Sequence, residues 1–94
     1  MNIEDFIFAP TKEDIDFINR QIEDANKRVV LTKDNIIMYM ENGAPYEIEL
    51  RRCETIQDVV DWIFHMKEKW WVTDFMLKRM AKFMCNHNNQ NFYH

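Results

Sequence analysis

An α+β domain is what this 94-residue sequence predicts, and three observations carry that prediction. Apolar residues recur at helical spacing in three stretches. Between the first and second of these the period drops to two, the spacing of half-buried strands. Thr-x-x-Asp occurs just ahead of two of the helical stretches, where a helix start needs a side chain to satisfy its free N–H groups. The expected order is an N-terminal helix, a three-stranded antiparallel meander and two C-terminal helices packed on one sheet face, α-β-β-β-α-α. Residues 1–85 read as one domain and 86–94 as a frayed tail of polar composition, NHNNQNFYH.

Pro10-Thr11 opens the first helix, placed over about residues 11–27, with Asp14 in the capping-box position and Glu13 beside it at the positive helix end. Ile15, Ile18, Ile22, Ala25 and Val29 make one stripe, expected to face the core. Arg28–Thr32 is a β-branched run, Lys33-Asp34-Asn35 a turn and Ile36–Glu41 a strand with Ile36, Met38 and Met40 on one face. Asn42-Gly43 signals a two-residue hairpin loop in which both residues take positive φ. Tyr46–Arg52 alternates, with Tyr46, Ile48 and Leu50 inward and Glu47, Glu49 and Arg51 outward.

Thr55 caps the second helix, and Ile56, Val59, Val60, Ile63, Met66 and Trp70 share its apolar face. That places Trp70 in the core and leaves Trp71, about 100° further round, partly exposed, unless the turn between the helices is plugged by its own aromatics. Thr73 caps the third helix, with Val72 and Leu77 at the two positions of a hydrophobic staple. Met76, Leu77, Met80, Phe83 and Met84 line its buried face, while Phe75 points to the side of Lys78, Arg79 and Lys82.

Several function classes lose their machinery on composition. The chain has no serine and one glycine, so there is no serine nucleophile, phosphate-cradling Gly-rich loop or dinucleotide fingerprint. No run of 18 uncharged apolar residues is present, and the acidic start MNIEDFIFAP does not fit a secretory leader. A cytoplasmic location with Cys53 and Cys85 as reduced thiols is the expectation. No metal or cofactor is expected: Cys85 and His87 stand about 200° apart if the helix continues through them, poor chelate geometry, and only an earlier helix end would bring them together.

What remains points to binding. The net charge of −4 divides into an acidic N-terminal region and a basic C-terminal one. Glu47 and Glu49, with Glu41 on the preceding strand, form an acidic strip able to imitate a row of phosphates. Trp71, Phe75 and Arg79 follow one another at four-residue intervals and are residue types that dominate interfaces. The expected partner-binding residues are therefore Glu47, Glu49, Trp71, Phe75 and Arg79. Two alternatives stay open. Trp71, Phe75, Lys78, Arg79 and Lys82 combine aromatic and cationic groups as a single-strand nucleic-acid platform does. A homodimer could use the Met and aromatic surface as its seam.

The segment TIQDVVDWIFHMKEKWWVT, Thr55–Thr73, following an Asn-Gly hairpin in a short acidic chain, resembles small accessory proteins of phages and mobile elements of the anti-CRISPR inhibitor type. That class has no shared motif, so it transfers no residue role. The resemblance implies a stoichiometric inhibitor that occupies a nucleic-acid-binding surface on a host nuclease complex.

Overall fold

A computed structural model of the protein describes residues 11–92, with side chains through Asn88. The elements are α1 (Lys12–Arg28), β1 (Val29–Leu31), β2 (Asn35–Tyr39), β3 (Pro45–Glu49), a 3-10 turn (Leu50–Arg52), α2 (Ile56–Lys67) and α3 (Asp74–Phe92). The strands form one antiparallel sheet in the order β1-β2-β3, so the fold is α+β in the expected element order. The stretch MNIEDFIFAP and the last two residues, Tyr93 and His94, lie outside the described residues.

The helix starts form as their sequences require. Thr11 Oγ1 accepts from Asp14 N at 3.1 Å while Thr11 N donates to Asp14 Oδ2 at 3.2 Å. Thr55 and Asp58 repeat the same reciprocal box at α2, at 3.0 and 3.3 Å. At α3, Thr73 Oγ1 accepts from Met76 N at 3.2 Å. Each box satisfies backbone donors that the first helical turn leaves without intrahelical partners.

The hairpin differs from the two-residue loop. Met40 N donates to Ala44 O and Gly43 N to Met40 O, both at 2.9 Å, which makes Glu41-Asn42-Gly43 a three-residue loop. Gly43 alone takes a positive φ, +84°. Asn42 keeps a negative φ and its Oδ1 accepts from Ala44 N at 3.0 Å. A three-residue loop needs one left-handed residue instead of two, and glycine fills that position without steric cost.

Register sorts the two sheet faces. Met38 lies opposite Val29 and Tyr46, and Ile36 opposite Leu31 and Ile48. Val29, Ile36, Met38 and Ile48 are buried on this face. The row Val30–Ile37–Glu47 belongs to the reverse face, where Val30 and Glu47 are exposed. The third strand stops short of the expected Tyr46–Arg52. Leu50 N donates to Asp34 O at 2.9 Å, the last rung, and Cys53 N then donates to Leu50 O at 2.9 Å. That tight turn keeps Leu50 buried while redirecting the chain into α2.

The core is built largely of methionine. Met38, Met66, Met76, Met80 and Met84 are fully buried, five of the seven in the chain. Met76, Met80 and Met84 run down one face of α3 at four-residue spacing, and Leu77 and Phe83 pack beside them. Unbranched thioether side chains fill the irregular space between a short sheet and crossing helices. The helix does not fray at Asn86: α3 continues to Phe92, and Asn88 is buried. The polar composition after Asn86 does not end the helix.

Two expected core stripes are only partly covered. On α1, Ala25 and Val29 are buried, whereas Ile15, Ile18 and Ile22 are 41–45% exposed. Every residue from Thr11 to Arg20 is exposed, so the first half of α1 runs past the elements that pack on its second half. The radius of gyration, 16.0 Å, exceeds the value of about 12 Å for a compact chain of this length.

Candidate interaction surfaces

The face of α2 divides between core and surface. Val59 and Met66 are buried and Trp62 and Ile63 partly so. Ile56, Val60 and Phe64, at four-residue intervals, form a separate ridge and are 69%, 37% and 63% exposed. The expectation that all six stripe residues face inward therefore fails for Ile56, Val60 and Trp70. Six apolar residues at i, i+3 and i+4 cover a wider arc than α3 and the sheet can cover.

The Trp70-Trp71 assignment is reversed. Trp70 is 82% exposed and Trp71 is buried at 6%. Helical periodicity ends at Lys67, and the chain then winds through two tight turns, with Lys69 N donating to Met66 O at 3.1 Å and Val72 N to Lys69 O at 3.2 Å. Extending helical spacing across this break gives each indole the wrong side. Trp71 O accepts from Arg28 Nη2 at 3.2 Å, which ties the turn to the end of α1.

Around Trp71 lies a polar–aromatic cluster. Its ring centroid is 6.2 Å from that of Tyr46. Tyr46 Oη and His65 Nε2 share a hydrogen bond of 3.1 Å, and Trp62 meets His65 edge to face at 5.7 Å. Lys69 Nζ sits 4.8 Å from the Tyr46 ring centroid. Trp62 Nε1 donates to Arg52 O at 3.3 Å. These contacts dock α2 against Tyr46 of β3 and the 3-10 turn, and they account for the Tyr46–His65 pair as packing with a shared hydrogen bond.

The five expected contact residues do not converge on one surface. Glu47 is exposed on the reverse sheet face. Glu49 shares that face but is ion-paired with Arg51, and Arg52 Nε stands 4.0 Å away. The Arg51 hydrogen bond, with the Arg51 and Arg52 charges, holds the Glu49 carboxyl below its ordinary value. Glu41 falls in the hairpin loop, so the row of free negative charge is not assembled. Trp71 is core. Phe75 is half-buried, with Lys78 Nζ 5.4 Å from its ring centroid. Arg79 Nε donates to Val29 O at 2.7 Å and its guanidinium lies 4.8 Å from the Phe83 ring centroid. Arg79 thus caps a carbonyl of the sheet's short outer strand.

The thiols stand apart. Cys53 is buried, with Sγ 3.7 Å from Glu49 O, and burial pushes its pKa up to about 11. Cys85 is exposed on α3. Because the helix continues, Cys85 and His87 remain on different sides of it, and His87 Nε2 is 3.8 Å from Glu54 Oε1. Among the described residues, no three His, Cys, Asp or Glu side chains are grouped to hold a metal ion, and no helix is long and apolar enough to cross a membrane.

No family model matches the chain. No curated protein and no solved structure matches it significantly.

Proposed function

We propose that this protein is a non-enzymatic binding protein that acts by occupying a surface of another protein, as an inhibitor or adaptor in stoichiometric complex. The observation that carries this reading is the Ile56–Val60–Phe64 ridge of α2, with the exposed Trp70 in the turn that follows. A helix that displays apolar anchors at four-residue spacing suits a hydrophobic groove on a partner. Exposed Trp and Phe of this kind are the residues that anchor interfaces. The thiol chemistry supports the same reading, since the buried Cys53 is held protonated and the Tyr46–His65 pair is engaged in packing. The target class implied by the resemblance to phage accessory proteins is a nucleic-acid-binding defence complex in a host cytoplasm.

The test is capture from host-like lysate by the tagged full chain, with and without nuclease, in parallel with a ridge variant and a Glu47→Lys/Glu49→Lys variant. The expected result is one protein held at stoichiometric amount, surviving nuclease, retained by the acidic-face variant and lost with Ile56→Glu/Phe64→Lys. Capture that disappears with nuclease would instead support a nucleic-acid-binding regulator. Capture lost only with the Glu47/Glu49 variant would move the interface to the reverse sheet face.

A further inference from the structure

A second uncovered region lies on the α1–α3 side and is independent of the α2 ridge. A groove of about 360 Å³ runs between these helices, with Ile22, Ala25 and Phe75 as its apolar lining and Lys78, Arg79 and Lys82 along it. No ion pair among the described residues uses these three cations, and Lys78 and Lys82 are exposed. The apolar stripe continues from the groove along the uncovered half of α1, through Ile18 at 41% and Ile15 at 45% exposure. Three large side chains at the solvent on one helix face, beside a basic rim, match an apolar helix that carries carboxylates.

The first half of α1 is such a helix. Every residue from Thr11 to Arg20 is exposed. Glu13, Asp14 and Asp16 stand there against one nearby cation, Lys12, next to the same isoleucines. We propose that two copies of the chain pair through α1, antiparallel about a two-fold axis between Ile18 and Asn19, so that the first half of each α1 lies over the other copy's groove. Ile15 of one copy then meets Ile22 of the other, because the two residues lie about 5 Å on either side of the axis. Glu13 and Asp14 come level with residues 23 and 24 of the other copy, alongside its Lys78 and Lys82. Of the acids at those two positions, Asp24 is paired with Arg28 at 3.3 Å, and Glu23 stands about 100° round the helix from Ile22, off the seam. The one arrangement covers the three isoleucines that α3 leaves open and neutralises the basic rim of both copies.

The proposal is tested by the mass of the full chain in light scattering at millimolar concentration. The expected result is a dimer for the natural sequence and for the α2 ridge variant Ile56→Glu/Phe64→Lys. Ile18→Glu/Ile22→Glu should be a monomer with the circular dichroism of the natural sequence. Lys78→Glu/Lys82→Glu should weaken the dimer by about tenfold or more, because the two-fold axis repeats each lost ion pair. Zero-length carbodiimide coupling of mixed isotope-labelled and unlabelled chains gives a second reading. Amides from Glu13, Asp14 or Asp16 to Lys78 or Lys82 should join one labelled chain to one unlabelled chain. A monomer at millimolar concentration would overturn the proposal and leave the groove to an acidic segment of a different protein. Coupling confined within single chains would overturn it as well. So would a dimer that persists in Ile18→Glu/Ile22→Glu or that the α2 ridge variant dissolves, since either places the seam elsewhere.

Discussion

Two variants of one helix separate its core side chains from its exposed ridge. Met66 is fully buried among the core methionines, and Phe64, two residues away, is 63% exposed. Met66→Ala removes a packed side chain and leaves a void, at a cost of about 2–5 kcal/mol. A chain of 94 residues has a total stability of about 5–14 kcal/mol. A loss near 3 kcal/mol lowers Tm by about 10–25 °C for a domain this size. The ridge variant Ile56→Glu/Phe64→Lys should behave oppositely. Phe64 buries about a third of its surface, worth about 0.5–1 kcal/mol against 1.5–3 for complete burial. Lysine recovers much of this through better helix propensity and a favourable position near the helix C-terminus, about 0.3–1 kcal/mol. Glutamate at residue 56, the first helical position, gains in the same way from the positive end. Thermal and urea unfolding followed by circular dichroism should place this double variant within about 1 kcal/mol of the natural sequence. A loss above about 2 kcal/mol would show that the ridge belongs to the core, and would remove the reason for reading it as a docking face.

Three further outcomes follow from the local geometry. Thr55→Ala breaks the capping box at α2 and should cost about 1 kcal/mol in urea unfolding, with Thr55→Asp retaining most of the stability. Gly43→Ala meets no atom within 4 Å, so its penalty is the left-handed backbone alone, about 1 kcal/mol. A cost of several kcal/mol would mean that the loop is tighter than described. Iodoacetamide at pH 8 should modify Cys85 and spare Cys53 in the folded chain, and modify both after denaturation, as counted by intact mass. Folding raises the Cys53 pKa from 9.0 to about 11, so this thiol favours the folded state fully below pH 9 and loses that contribution as pH rises toward 11.

Much of the fold was legible because local chemistry and tertiary packing agree. The Thr11 and Thr55 boxes, the alternation of Ile36, Met38 and Ile48, and the Met76–Met80–Met84 column all occupy the places their spacing predicts. The failures share a cause. Periodicity shows which face of a helix is apolar, but not whether another element is long enough to cover it, so Ile15, Ile18, Ile56 and Val60 read as core. It also ends where hydrogen bonding ends, and the turns at 68–72 therefore exchange the roles of Trp70 and Trp71. Arg79 was expected at an interface because of its residue type. Its partner, the Val29 carbonyl fifty residues earlier, is a long-range contact that no local pattern encodes. The candidate surface was visible in the sequence only as an excess of apolar residues over what one small sheet can bury.

The reading of this chain as a binding protein rests on the α2 ridge, and titration calorimetry of its purified partner tests that ridge most directly. Truncating an aromatic anchor at an interface centre costs 2 kcal/mol or more, about thirtyfold in affinity. The account predicts that Ile56→Glu/Phe64→Lys, folded as judged by its unfolding curve, binds at least thirtyfold more weakly than the natural sequence. Affinity within about threefold, a difference of roughly 0.7 kcal/mol, would contradict it and place the interface elsewhere on the molecule.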